Sequence, residues 1–502
     1  MATMKEKRRL IIRADASNAI GSGHVRRCLA LVTAFAGAGW ECALAIRPGT
    51  RETVPDLGDS PCELFDLKCT PAEEAKALFE RWPNGCDLLV VDHYERGKHF
   101  EASCRPWARN IMVMEDVPQR QHACDFLLDS SLEDAVSVYR KMVPDACKLF
   151  LGPDFALLHP QFIKHRRESI EKREKRHSVG KILISFGTVD GKNMCSKAIK
   201  SIKEGGLNIS VDVVIGSQSP YLEETKSIAR TCPFPVKFYV DEKNMARVMT
   251  SADLALGACG FTSWERCCLG LPTLAVITAE NQTSLAEVLR RHHAIDFLGW
   301  HENVSLETIA RSLKKILNNH ETRIKISRNA SRLCDGRGPL RVLLKLLPSE
   351  KTNNGTQVRL RLCTLSDTEM IYQWQSDERT RLYFRNSAIP DYAAHEQWIQ
   401  GSLMDPDRIL TLILYDGIPS GVLRLDRLDK EDSWEISIYV DPDKYNQGIG
   451  RAALAFTLKM YRFATFFAEV FPENRPSQKL FKSAGFRKVG KTRYRRDPKK
   501  EL

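Results

Sequence analysis

Two stretches of this sequence set glycines beside residues that can move protons. In "RADASNAIGSGHVRRCLAL", Arg13 to Leu31, Gly21 and Gly23 precede His24 at what reads as the first turn of a helix. Glycine lets a backbone approach a ligand closely, and the free amides at a helix start favour an anion. His24 alone allows two readings, a capping or core histidine or the base of a reaction. Asp15, Asp92, His93 and Asp116 stand at expected strand ends, as substrate contacts or as turn and helix caps.

Downstream motifs extend the first constellation. "SFGTVDGKN", residues 185–193, is again a strand, a glycine turn and a helix start, and "GACGFTSWERCCLGLPT", residues 257–273, sets Gly260, Thr262 and Ser263 before a helix carrying Glu265. "AENQTS" places Asn281 and Gln282 at the next strand end. In such an arrangement the small hydroxyl residues Thr262 and Ser263 meet a diphosphate, Glu265 takes ribose hydroxyls, and the amides of Asn281 and Gln282 hold a sugar.

The second stretch is "YVDPDKYNQGIGRAALAFTL", a strand running through a glycine loop into a helix. Gln447, Gly448, Gly450 and Arg451 there present a row of backbone amides able to cradle a pyrophosphate. Further on, "AEVFPENRPSQKLFKSAGFRKVG" adds a strand, Asn474, a helix and the turn at Gly485 and Phe486. Glu435, on the strand before the loop, is either a base for an amine or a solvated carboxylate.

These residues need three units to position them, and the 502-residue length agrees with about 100–200 residues per domain. Over 1–165, β-rich runs ("RRLIIRA", "CALAI", "DLLVVDHY", "NIMVMED", "DFLLDSS") alternate with helical patterns, which predicts a parallel sheet flanked by helices. The charged run "KHRRESIEKREKRH" reads as a solvated hinge, and over 178–347 the alternation restarts with "KILISFGT", "ISVDVVIG", "VKFYV", "DLALGAC" and "PTLAVIT". Two such domains create a cleft at the carboxyl ends of their strands. "PSEKTNNGTQ" reads as a linker. Over 357–496, helices around "EMIYQWQS" and "AHEQWIQGSL" precede consecutive strands, the order of an antiparallel α+β domain.

The bulk properties bound what remains. Lys and Arg number 75 against 63 Asp and Glu, a formal charge of +12, but the excess sits in short runs with no interleaved aromatic platform. That distribution argues against a nucleic-acid partner. The basic start has too short an apolar segment for a signal peptide or membrane span, so a cytoplasmic protein with no membrane partner is expected. Fifteen cysteines without a Cys-x-x-Cys pair read as reduced thiols, and no metal site is expected.

Over about residues 8–345, "DASNAIGSGHVRRC", "DHY", "FGTVDGKN", "GFTSWERCCLGLP" and "NQ" together resemble the UDP-2,4-diacetamido-2,4,6-trideoxy-altropyranose hydrolases of pseudaminic acid biosynthesis. That resemblance implies a GT-B-like pair of Rossmann-type domains. It further implies that His24 activates water for attack at the anomeric carbon, with UDP leaving and the configuration inverting. Thr188 stands where that family often has a second glycine. Residues 357–496 resemble the GNAT acetyltransferases, which implies acetyl-CoA as cosubstrate, its pyrophosphate on the amides of residues 447–452 and its pantetheine arm beside "WEISIYV". Tyr445 replaces the usual Arg or Gln at the loop start, and Phe481 replaces the tyrosine that protonates the departing thiolate in many members. Together the resemblances imply consecutive reactions on UDP-linked amino sugars, N-acetylation and then release of UDP. A GT-B glycosyltransferase with an appended acetyltransferase, the equivalent enzyme of a related nonulosonic acid route, a sugar-nucleotide sensor and a protein N-acetyltransferase are the alternatives.

Overall fold

The computed structural model describes residues 8–18, 20–384, 386–428 and 432–498. The chain divides near Pro339 into two compact units.

The first unit contains two parallel sheets. Strands β1 (Arg9–Ala14), β2 (Glu41–Ile46), β3 (Glu63–Asp66), β4 (Leu88–Asp92), β5 (Ile111–Met114), β6 (Phe126–Asp129) and β7 (Lys148–Leu151) form one in the order β3-β2-β1-β4-β5-β6-β7. Strands β8 (Lys181–Ser185), β9 (Ser210–Ile215), β10 (Val236–Val240), β11 (Leu254–Ala258), β12 (Thr273–Ile277) and β13 (Asp296–Trp300) form the other in the order β10-β9-β8-β11-β12-β13. Helices cover both faces, so the central strands are continuous apolar runs: every residue of β4, β11 and β12 is buried. Each strand order reverses once, between β1 and β4 and between β8 and β11. The crevice at such a reversal is where open α/β sheets bind ligands. A pair of doubly wound parallel domains in one unit is a GT-B-like architecture.

The charged run before β8 is not a solvated hinge. It lies in a helix, Pro160–Lys175, whose Arg166 and Arg173 are buried. Arg166 donates to the carbonyls of Cys268, Ser331 and Cys334, and Arg173 to those of Met249 and Ala252. These carbonyls lie at or just past the ends of three helices, Met245–Ser251, Thr262–Cys268 and His320–Leu333, where unsatisfied acceptors and the helix dipole favour a cation. Charge that reads as solvation in the sequence is spent on capping.

The second unit holds a mixed sheet. Its strands are β14 (Glu350–Lys351), β15 (Gln357–Leu362), β16 (Arg408–Tyr415), β17 (Ile418–Arg427), β18 (Ser433–Val440), β19 (Thr465–Glu469), β20 (Arg487–Lys488) and β21 (Arg493–Arg496), in the order β14-β15-β16-β17-β18-β19-β21-β20. All pairs are antiparallel except β18 with β19. The stretch read as a linker pairs instead: Glu350 and Lys351 lie opposite Val358 and Gln357 in a hairpin.

Candidate functional site

In the first unit the loop after β1 and the end of β4 meet, with Ala14 and Asp92 in register on neighbouring strands. The loop turns at Gly21, whose φ of 76° a side chain rarely adopts, and enters the helix Gly23–Gly37 at its first residues, Gly23 and His24. His24 is buried, and its Nδ1 lies 2.5 Å from Oδ1 of Asp92. Arg27, one turn further along the helix, donates to both Asp92 oxygens at 2.6 Å. Burial alone would push the Asp92 carboxyl up, but Arg27 and His24 outweigh it and hold it well below the usual carboxylate range. An ionised Asp92 only accepts, so the shared proton sits on Nδ1, and in the neutral ring the lone pair is then on Nε2. Among the described residues no protein group bonds Nε2. That is the tautomer a base requires.

The network continues toward the second sheet. Arg27 also reaches Asp116 at 3.3 Å, Tyr94 donates to Asp116 at 3.1 Å, and Nδ2 of Asn281 donates to the Tyr94 hydroxyl at 2.8 Å. The Tyr94 ring stands edge-on to His24 with centroids 4.8 Å apart. Asn281 therefore joins the two halves of the unit through the histidine's own neighbours. Arg27 and Tyr94 complete this network, and sequence reasoning did not single them out. Their signals were present: Arg27 lies three residues after His24 on one helix face, and Tyr94 closes the "DHY" run.

The second sheet contributes Glu265. It lies on the short helix Thr262–Cys268, is 7% exposed, and its buried Oε2 has no hydrogen-bond partner. Burial pushes its carboxyl up to about 7, with Arg26 and Arg266 pulling less strongly the other way. A dehydrated, unpartnered carboxylate is costly to keep and is satisfied by donors such as ribose hydroxyls. Phe261, at the start of that helix, lies 3.8 Å from where a β-carbon on Gly23 would sit, so the glycine turn faces this loop.

Several other expected contacts have protein partners. Asp15 accepts from Arg13 at 2.8 Å, from the Arg47 amide at 2.7 Å and lies 3.1 Å from His93 Nε2, so both of its oxygens are engaged within the fold. The Ser263 hydroxyl turns inward, 2.9 Å from Arg266 and 3.4 Å from the Ala258 carbonyl. Thr262, half-buried at the helix start, is the hydroxyl left nearer the surface. Gln282 spends its side-chain amide on Thr278, accepting from the backbone at 2.9 Å and donating to the hydroxyl at 3.0 Å. Small polar residues at strand ends were read as ligands, but they first satisfy the backbone groups that the turns expose.

In the second unit the site is a fork. Strands β18 and β19 pair only over Ser433, Trp434 and Glu435, and from Ile436 to Val440 that edge of β18 has no strand beside it. Half-buried Glu435 is the last rung before the opening. Just beyond β18, Gly448 caps the helix Ile449–Met460 with a φ of 78°. Gly450 packs 3.6 Å from Leu480 and 3.7 Å from Val440, measured from the β-carbon it lacks. Gln447 and Arg451 are exposed around this turn. An open strand edge leading to a glycine-capped helix start fits the pantetheine arm and pyrophosphate of coenzyme A. Asn474 accepts from the Ser477 amide at 3.0 Å and so caps the helix Arg475–Ser483 with its carbonyl oxygen. Phe481 is buried against Phe486 and carries no hydroxyl to donate.

Comparison with known proteins agrees with this division. Residues 357–487 match the family model described as an acetyltransferase (GNAT) domain. An uncharacterized protein of Methanocaldococcus jannaschii is 22% identical over 97% of this chain and 98% of its own length. The spore coat polysaccharide biosynthesis protein SpsG of Bacillus subtilis is 29% identical over 40% of this chain and 59% of its own. The UDP-2,4-diacetamido-2,4,6-trideoxy-beta-L-altropyranose hydrolase of Campylobacter jejuni is 22% identical over 56% of this chain and 96% of its own. The chain thus joins an N-terminal region homologous to that hydrolase and to SpsG with a C-terminal GNAT acetyltransferase domain, which implies use of acetyl-CoA.

Proposed function

We propose that the chain is a bifunctional enzyme of pseudaminic or a closely related nonulosonic acid route. Its second unit N-acetylates a UDP-4-amino-4,6-dideoxy sugar, and its first unit hydrolyses the resulting UDP-2,4-diacetamido-2,4,6-trideoxy-altropyranose to free sugar and UDP. The observation that carries this reading is the geometry of His24, whose Nδ1 is taken by Asp92 while no protein group among the described residues bonds Nε2, in a region homologous to a UDP-sugar hydrolase.

In the hydrolytic step Nε2 takes a proton from water while the water oxygen bonds to the anomeric carbon. The bond from that carbon to UDP breaks, and its electron pair leaves on the β-phosphate oxygen. Asp92 and Arg27 fix the ring during the transfer, and the imidazolium that forms faces a carboxylate already ionised. Glu265 accepts from the ribose, Asn281 and Tyr94 line the sugar end, and the backbone around Gly21, Gly23 and Thr262 faces the diphosphate. In the transfer step the amine nitrogen bonds to the acyl carbon, Glu435 takes the proton that the amine loses, and the carbon–sulfur bond breaks with its electron pair leaving on sulfur, a thiolate that takes its proton from solvent. Gln447, Gly448, Gly450 and Arg451 would hold the pyrophosphate of acetyl-CoA, and the open edge of β18 its pantetheine arm, so that the thioester reaches the fork. Neither step as written assigns a role to a metal ion.

Incubating the chain with the UDP-amino sugar, with and without acetyl-CoA, tests the reading by following CoA and UDP. CoA release followed by UDP release, with little UDP when acetyl-CoA is omitted, is expected. UDP release only when a second sugar is supplied would favour a glycosyltransferase.

A further inference from the structure

The face of the sheet that carries Glu435 also carries a basic and aromatic cluster that the transfer chemistry leaves unused. Arg408, Asp426 and Glu435 lie directly opposite one another on β16, β17 and β18, and directly paired residues share a face. Arg424, two residues along β17 from Asp426, points the same way. Arg408 lies 2.5 Å and Arg424 2.7 Å from Asp426, one carboxylate between two guanidiniums. Both guanidiniums also lie near the Trp398 ring, 5.6 and 5.8 Å from its centroid. Trp398 belongs to the helix Tyr392–Met404, which packs on this face, yet the side chain is 38% exposed. Ile438 and Val440, by contrast, point at Gly450 on the opposite face, so the cluster and the glycine-capped helix lie on opposite sides of the fork.

We propose that Arg424, Arg408 and Trp398 form the acceptor subsite of the acetyltransferase for a nucleoside diphosphate, the arginines binding the diphosphate and the indole stacking on the base. The proposal rests on the reading that the acceptor is a UDP-linked amino sugar and says how that acceptor is recognised. Each guanidinium has more N–H groups than its contact with Asp426 uses, which leaves donors for phosphate oxygens. Arginine's planar fork suits phosphate oxygens, and an exposed indole suits a base. Arg424 is one strand from Glu435 and Arg408 two, a span of roughly 5–10 Å at ordinary strand spacing. That places a ring amine at Glu435 while the diphosphate on the far side of the same ring reaches the arginines. Asp426 has a positioning role, holding both guanidiniums beside the indole.

The test uses the full chain and reads CoA release, which reports the transfer site alone. The acceptors are a UDP-4-amino sugar and the same amino sugar without its nucleotide. Wild-type enzyme is expected to prefer the nucleotide form, and UDP to inhibit transfer competitively against it. Arg424→Ala should raise KM for the nucleotide form at least tenfold, leave the free sugar and the KM for acetyl-CoA within about twofold, and weaken inhibition by UDP. Arg424→Lys should recover part of the loss, and Trp398→Ala should act in the same direction as Arg424→Ala. A preference for the nucleotide form that survives Arg424→Ala overturns the subsite and leaves the proposed activity standing. Acetylation of neither sugar overturns both.

Discussion

The two sites solve the problem of placing a reactive group in different materials. In the first unit the proposed chemistry rests on side chains locked by other side chains: His24 by Asp92, Asp92 by Arg27, Arg27 by Asp116. In the second the proposed chemistry rests largely on backbone, an unpaired edge of β18 and a left-handed turn at Gly448, with Glu435 at the last rung before the fork. The first should therefore fail through single side-chain changes that leave the fold intact. The second should fail through changes of backbone conformation and tolerate most side-chain changes.

The largest effect is expected at His24. Loss of a general base typically costs about 10²–10⁴-fold, so His24→Ala should remove most UDP release while CoA release stays within about twofold. Asp92→Asn should also slow UDP release, with a normal melting temperature only if Arg27 finds a new partner. The converse break is Gly448→Val. A β-branched residue is strained at that φ, so acetyl transfer should be lost while UDP release from an already acetylated substrate persists. Assaying both half-reactions on each variant sharpens the comparison.

A mid-sized effect with two signs is expected at Glu265. Its carboxyl is pushed up to about 7 in the fold against 4.5 ordinarily, so between those values the folded chain keeps a proton that the unfolded chain releases. The resulting stability is present below about pH 4.5 and is lost as pH rises through 7. Glu265→Gln should hence raise the melting temperature at pH 8, where the lost stability is on the order of 3 kcal/mol, and change it little at pH 4.5. Binding should move the other way: UDP affinity, by calorimetry, should fall roughly tenfold or more in Glu265→Gln, and in the wild type should weaken as pH drops below 7.

The smallest effects are expected where an anticipated ligand is a structural cap. Asn474→Ala removes a helix cap and should cost about 1 kcal/mol of stability in the second unit, with a KM for acetyl-CoA changed by less than threefold. A KM that rises more than tenfold would return Asn474 to the binding surface.

The reach of the sequence follows from burial. Central strands such as β4, β11 and β12 are buried on both faces and stand out as apolar runs, so the two parallel sheets were legible. Strands β3, β7 and β13 were not, because each lies at a sheet edge with half-exposed residues and no apolar run to mark it. Glycines with His24, and the loop at Gly448, were legible because turns restrict residue type. Pairing was not: nothing local shows that Asp15 faces Arg13 and His93, that Ser263 turns toward Arg266, or that Arg166 caps helices formed about a hundred or more residues later.

The most direct test of water attack at the anomeric carbon is hydrolysis of the diacetamido UDP-sugar in ¹⁸O-labelled water, with the released UDP read by mass spectrometry. If His24 directs water to carbon, the bond broken is carbon to oxygen and the UDP carries no label. Label on the terminal phosphate of UDP would show attack at phosphorus and contradict the role given to His24, Asp92 and Arg27.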